Sequence, residues 1–230
     1  MLTPDQDQNA YRVYGRRRGK RMTAEHERML VEVLPRYGVS IDAPTAAFAE
    51  PDRPFWLEVG FGGGEHLLHQ ARNRPEVNFL GCEPFFEGVA RALEDVTEHD
   101  IRNVRLFPDD ARKVIDVLPD GSVDRLFILF PDPWRKTRHH KRRFIGPENL
   151  PRLSRILADG AEFRAFTDHQ DYGRWILWHV TRHPDFEWMA EEADDWLVPP
   201  GDYVATRYEQ KAREQGRKPV YFRFRRRPRG

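Results

Sequence analysis

The chain has 230 residues, enough for one substantial core, and its one cysteine, Cys82, excludes an internal disulfide and a cysteine-based zinc cluster. The longest apolar run, Leu126 to Phe130, falls far short of the roughly twenty residues of a membrane-spanning helix, so a soluble, unexported, cytoplasmic protein is expected. The net charge of +1 conceals a division: residues 12–21, 135–143 and 213–229 hold six, six and eight Lys or Arg with one acid, Glu214, while the rest of the chain is strongly acidic. Three concentrated basic runs on an acidic body predict a phosphate-rich partner, although terminal runs also occur as plain solvated tails.

In chain order, residues 1–22 are polar and arginine-rich and predict a flexible basic arm. Arg16-Arg17 imitates a twin-arginine signal, but the acids after Met22 deny it an apolar segment. Thr23 is placed to cap an amphipathic helix bearing Met29, Leu30, Val33 and Leu34, ending at Pro35. After a linker over 42–54, strand-like Phe55–Gly60, Phe79–Glu83, Val104–Phe107 and Val123–Phe130 alternate with helix-like Glu65–Arg72, Phe86–Glu98 and Arg112–Leu118. A helix at Asn149–Leu157, a strand at Ala161–Thr167 and a helix bearing Tyr172, Trp175, Ile176 and Val180 continue the rhythm. The fold class expected is α/β: a doubly wound, mostly parallel sheet with helices on both faces, in a single domain over 23–230. Ligands of such sheets sit at the carboxyl ends of the strands, which directs attention to those ends.

The first strand ends in Glu58-Val59-Gly60-Phe61-Gly62-Gly63-Gly64, glycines suited to a tight strand-to-helix turn approached closely by a nucleotide-like ligand. Counted from Gly60, the sixth position of a dinucleotide fingerprint is Glu65, an acid where pyrophosphate would lie, which argues against a nicotinamide or flavin cofactor. Acids instead mark successive strand ends. Glu83 is placed to accept from ribose hydroxyls and Asp110 from an adenine amino group, while Glu58 precedes the first glycine by two. An acidic pocket suits the cationic sulfonium and ammonium of S-adenosylmethionine. The fourth strand runs into Phe130-Pro131-Asp132-Pro133-Trp134, a carboxylate between prolines, and then into the basic stretch ending at Arg143. His139 and His140 have no neighbours at metal-ligand spacing, so no metal is expected.

With these motifs in place, the chain resembles the bacterial tRNA (guanine-N7)-methyltransferases of the class I S-adenosylmethionine-dependent, Rossmann-like fold. The likeness covers Tyr14 to Gly19, the glycine loop, Gly81-Cys82-Glu83, Phe130 to Arg143, Thr167-Asp168 and Thr206-Arg207-Tyr208-Glu209. Arg135 and Thr137 beside Lys136, and the basic Arg223-to-Arg229 ending, depart from the usual pattern. The resemblance implies cofactor contacts at Glu58, Gly60, Gly62, Gly64, Glu83, Asp110 and Asp132, with Asp132 also the central catalytic group. It implies RNA or guanine contacts at Lys136, Asp168, Thr206, Arg207, Tyr208 and Glu209. It further implies 7-methylguanosine formation in the tRNA variable loop, with no membrane and no obligatory protein partner. Three other readings compete: an amino-methyltransferase acting on DNA, a non-catalytic RNA-binding protein that has kept the fold, and a nicotinamide-dependent reductase.

Overall fold

The computed structural model describes Tyr11, residues 13–14, residues 17–19 and residues 22–230; the rest of the predicted basic arm lies outside the described residues. The part that is described packs on the body. The amide of Gly19 donates to Glu87 Oε2 (2.8 Å), and the carbonyl of Arg17 accepts from the amide of Phe86 (2.9 Å).

Thr23 caps α1 (Ala24–Arg28) by accepting from the amide of His26. The helix does not end at Pro35, as the sequence suggests. A π-helical turn (Met29–Val33) intervenes, and Pro35 then lies in the first turn of α2 (Leu34–Tyr37), where its missing N–H leaves no bond unmade.

Among the described residues, seven strands form one sheet: β1 (Phe55–Val59), β2 (Asn78–Cys82), β3 (Val104–Phe107), β4 (Val123–Leu129), β5 (Leu157–Thr167), β6 (Phe186–Trp188) and β7 (Val220–Arg226). Their order is β3-β2-β1-β4-β5-β7-β6. The first five are mutually parallel, and β7 runs antiparallel between β5 and β6. The helices that join them are α3 (Glu65–Asn73), α4 (Phe86–Glu98), α5 (Ala111–Val117), α6 (Leu150–Ile156) and α7 (Gln170–Val180), with α8 (Asp194–Leu197) and α9 (Arg207–Glu214) before β7.

Two apolar clusters cover the two faces, as a doubly wound sheet requires. Leu57, Val59, Leu126, Ile128, Phe163 and Phe224 pack toward α5, α6 and α7. Trp56, Phe79, Phe127, Phe166 and Tyr221 pack toward α3, α4 and the N-terminal helix. Every residue of β1 and β2 is buried, which accounts for their mostly apolar sequence, Glu58 and Asn78 excepted.

Two differences from the sequence reading matter. β5 begins at Leu157, four residues early, because a bulge opposite Val123–Arg125, with Gly160 at φ +80°, lets the chain join the sheet sooner. The basic C-terminal run is not a solvated tail: residues 220–226 are an interior strand. Tyr221, Phe222 and Phe224 are buried, Arg223 pairs with Glu162 (2.5 Å), and Arg229 pairs with Asp159.

Candidate active site

The glycine loop turns at left-handed φ in three places, Gly60 (+76°), Gly62 (+60°) and Gly64 (+88°), a conformation other residues adopt only at a cost. A side-chain carbon at Gly64 would lie 2.9 Å from Ala92 of α4, so that glycine serves helix packing. Nothing stands within 4 Å of the same position at Gly60 or Gly62, which leaves open space beside the loop.

Glu83, just past β2, ties the loop in place. One carboxylate oxygen accepts from the amide of Gly62 (2.9 Å) and the other from Phe85 (2.9 Å). Burial pushes its carboxyl above the usual carboxylate range, partly offset by those two amides, and the charges of Asp132 and Glu58 add to the rise. Asp110 caps α5 through the amide of Arg112 (2.9 Å) and also holds the Arg112 guanidinium at 3.0 and 2.6 Å. Its carboxylate is therefore more heavily engaged than the sequence implies.

Beyond β4 the backbone is strained where the two aromatics stand. Phe130 and Trp134 adopt φ of +51° and +44°, conformations that cost of order 1–3 kcal/mol and persist only where the surroundings impose them. Between them lies Asp132, open to the cavity, with a carboxyl that desolvation raises above its ordinary value. Tyr14 meets Trp134 edge-on at 5.8 Å, and the Arg142 guanidinium lies 4.2 Å from the Tyr14 ring centre and 5.0 Å from that of Trp134. Arg143 anchors the end of the basic stretch through the carbonyl of Pro133 (2.9 Å) and through Asp171.

These strand ends surround one cavity of about 760 Å³, within the usual range for small-ligand sites. Of the predicted cofactor residues, the structure brings Gly60, Glu83, Asp110 and Asp132 to its wall. Gly62, Gly64 and Glu58 do not line it. Glu58 is buried beneath the loop, 2.7 Å from His66 Nδ1, and His66 continues to Gln70 (3.3 Å), which donates to the carbonyl of Asp202 (2.5 Å). Because the Gln70 amide acts as donor there, His66 Nε2 accepts and Nδ1–H points to Glu58.

The predicted RNA-contact residues are distributed differently. Lys136 is exposed at the start of a 3₁₀ turn (Thr137–Arg142) on the basic stretch. Asp168, just after β5, is paired with Arg217. Thr206 caps α9 by accepting from the amide of Glu209 (3.2 Å), and Arg207 pairs with Glu65 (3.2 Å). Tyr208 is exposed, its ring centre 5.7 Å from that of Phe130. Glu209 is fully buried, accepting from Tyr203, Tyr221 (2.5 Å) and Arg213 (2.8 Å), so its contacts are internal.

Sequence reasoning missed Tyr14, Arg112, Glu148 and Arg152 as cavity-lining residues. Arg112, two residues after an acid that starts a helix, was within reach of the pattern. The other three are brought in by tertiary packing. No metal-type grouping lines the cavity; among the described residues the group within ligating distance, Asp95, Glu98 and His99, sits at the far end of α4.

Residues 52–222 match a family model described as "Putative methyltransferase". A tRNA (guanine-N(7)-)-methyltransferase of Rhodospirillum rubrum is 48% identical over 235 residues, covering 98% of this chain and 92% of that protein. One from a Jannaschia species is 44% identical, covering 99% of each. Among solved structures, the 16S rRNA methyltransferase KamB aligns with a TM-score of 0.56 at 15% identity, over 76% of this chain and 89% of that one, a likeness of fold. Identity of 44–48% over nearly the full length of both chains, with a methyltransferase family model matched over residues 52–222, makes the chain a member of the tRNA (guanine-N7)-methyltransferase family.

Proposed function

We propose that this chain transfers a methyl group from S-adenosylmethionine to N7 of a guanine in tRNA, in the variable loop by family likeness, forming 7-methylguanosine. The observation that carries the reading is the convergence of Gly60, Glu83, Asp110 and Asp132 on one cavity whose rim carries Lys141 and Arg142. An acidic interior suits a cationic cofactor, and a basic rim suits a polyanionic substrate.

The residues present fit S-adenosylmethionine. Glu83 spends one lone pair of each oxygen on the loop amides and retains others for ribose hydroxyls. Asp132 at the wall carries a carboxyl that desolvation raises, and a cationic ligand beside it would favour its ionised form. When bound, the cofactor would supply an electrophilic methyl on sulfur for transfer to N7, the electron pair of the broken S–C bond remaining on sulfur.

The N7 lone pair of guanine is unprotonated near neutral pH, so no side chain need remove a proton. The protein's contribution is orientation and electrostatics. Asp132, held between Pro131 and Pro133 on a strained turn, presents a fixed carboxylate toward the charge that methylation places on the ring. Glu58 acts one layer back, holding the glycine loop through His66 rather than through the cavity wall.

In this reading residues 23–230 act as one catalytic domain, residues 1–22 as a basic arm, and no metal or obligatory protein partner is required. Among the described residues no helix is long and apolar enough to cross a membrane. We place the protein with its tRNA in the cytoplasm. The test is incubation with labelled S-adenosylmethionine and unmodified bulk tRNA, followed by digestion to nucleosides. Wild type should yield 7-methylguanosine, and Asp132→Ala should lower the rate by roughly a hundred- to thousandfold, the scale of losing a preorganised charge. Cofactor binding without any methylated nucleoside would overturn the substrate assignment.

A further inference from the structure

Asp168 follows β5, beside the strained turn that carries Asp132, yet its side chain is only 4% exposed because Arg217 lies across it. The backbone of Arg217 is fixed. Gly216, at φ +71°, closes α9, its amide donating to the carbonyl of Arg213 (2.9 Å), while the amide of Arg217 donates to that of Ala212 (3.0 Å). This closure turns the Arg217 side chain back along the helix. One terminal nitrogen pairs with Asp168 and also reaches the Tyr208 hydroxyl (3.3 Å), and the other donates to Gln215 (2.9 Å). Its Nε is buried with no hydrogen-bond partner among the described residues. Tyr208, 44% exposed, adds an aromatic face beside Phe130.

A carboxylate acceptor, a guanidinium donor and an exposed aromatic ring thus stand together next to the cavity. The Watson–Crick edge of guanine offers the matching set: an acceptor at O6 beside donors at N1 and N2. Adenine presents a donor at the six position and a bare acceptor at N1, which would set donor against donor and acceptor against acceptor. We propose that Arg217 is a specificity-determining residue. In the free protein it shields Asp168; when the base enters, the carboxylate passes to N1–H and the N2 amino group, and the guanidinium donates to O6. N7 is left facing the methyl donor. The inference rests on the guanine reading above and adds the residue that reads O6.

The test uses the full-length protein, with wild type first locating the methylated guanine in a tRNA transcript. Transcripts carrying guanosine or 6-thioguanosine at that position are then compared, since sulfur is a weaker acceptor than oxygen. Wild type should favour guanosine in kcat/KM. Arg217→Met should lose about ten- to hundredfold on guanosine, the scale of a charged hydrogen bond, and respond almost equally to the two transcripts. Arg217→Lys, which keeps one charged donor, should recover part of both rate and preference. Retention of cofactor binding checks that the variants are folded, and if Arg217→Met does not fold, the Lys variant decides by an intermediate or an undiminished preference. A wild-type preference retained in full by the substituted proteins, or no preference in wild type, overturns the inference alone. Failure of wild type to methylate any guanine overturns the functional reading with it.

Discussion

Two stretches of this chain, residues 135–143 and residues 213–229, look alike as lists of Arg and Lys and have opposite fates. In the first, Arg135, Lys136, Arg138 and Lys141 are exposed with no carboxylate partner among the described residues, while Arg142 stacks half-buried on Tyr14 and Trp134 and Arg143 is drawn inward to Asp171. In the second, five of the eight, Arg213, Arg217, Arg223, Arg226 and Arg229, each meet an acid, while Lys218, Arg225 and Arg227 are exposed. Their strand runs through the sheet interior, with Phe222 and Phe224 in one core and Tyr221 in the other. Charge density therefore does not separate a ligand-facing patch from a structural one. What separates them is the apolar residue at every second position over 220–224, which ties that part of the basic run into the sheet.

The comparison breaks most visibly at Phe224. Its side chain is fully buried, so Phe224→Ala should cost about 3–5 kcal/mol of stability, read as a lowered denaturation midpoint; an unchanged midpoint would mean that β7 is not integral to the core. Next comes Glu162, which pairs with Arg164 (3.1 Å), Arg125 (3.1 Å) and Arg223 (2.5 Å). Glu162→Gln should cost about 2–3 kcal/mol, less than a fully buried pair because Arg125 and Arg223 are partly exposed.

The same group fixes a pH dependence. Burial alone would raise the Glu162 carboxyl, but Arg164, Arg223 and Arg125 outweigh it and hold the group below its ordinary 4.5; Asp202 is likewise held below 3.8. A depressed folded-state value means stability that is present above those ordinary values and lost as pH falls through the lowered ones. An acid titration of wild type should show this loss, and Glu162→Gln should flatten it. Glu83 and Asp132 are shifted the other way, so cofactor affinity should rise with pH as they ionise, above the usual carboxylate range.

The strand ends and the glycine loop were legible because their signals are local. Glycines at Gly60, Gly62 and Gly64 are demanded by φ, the acids Glu83 and Asp110 follow strands that read as strands, and β1 to β4 came within a residue or two of their observed bounds. The C-terminal half was legible only in part. The pairing of Asp168 with Arg217 spans 49 residues, and Glu209 is buried only because Tyr203 and Tyr221 converge on it from separate segments. Neither is encoded in spacing. Strand β7 was legible in principle, since Tyr221 to Arg226 alternates for most of its length, but the arginines drew the reading toward phosphate.

The exposed run supplies the smallest effect on the fold and the sharpest contrast. Lys136→Gln, Arg138→Gln and Lys141→Gln together remove three cations that no acid in the described structure holds, so the denaturation midpoint should move by no more than about 0.5 kcal/mol in stability. Binding of tRNA should nonetheless weaken, by roughly tenfold or more at physiological salt. The slope of log affinity against log salt should become shallower by about one for each phosphate that is no longer neutralised. The matching control, Arg223→Gln with Arg229→Gln, removes two cations of the C-terminal run that are already neutralised by Glu162 and Asp159, so it should lower stability and leave the salt slope nearly unchanged. Equal slopes for both sets would mean that RNA feels the C-terminal arginines through their partners. A change confined to the first set would place the polyanion on the rim of the cavity that holds Asp132.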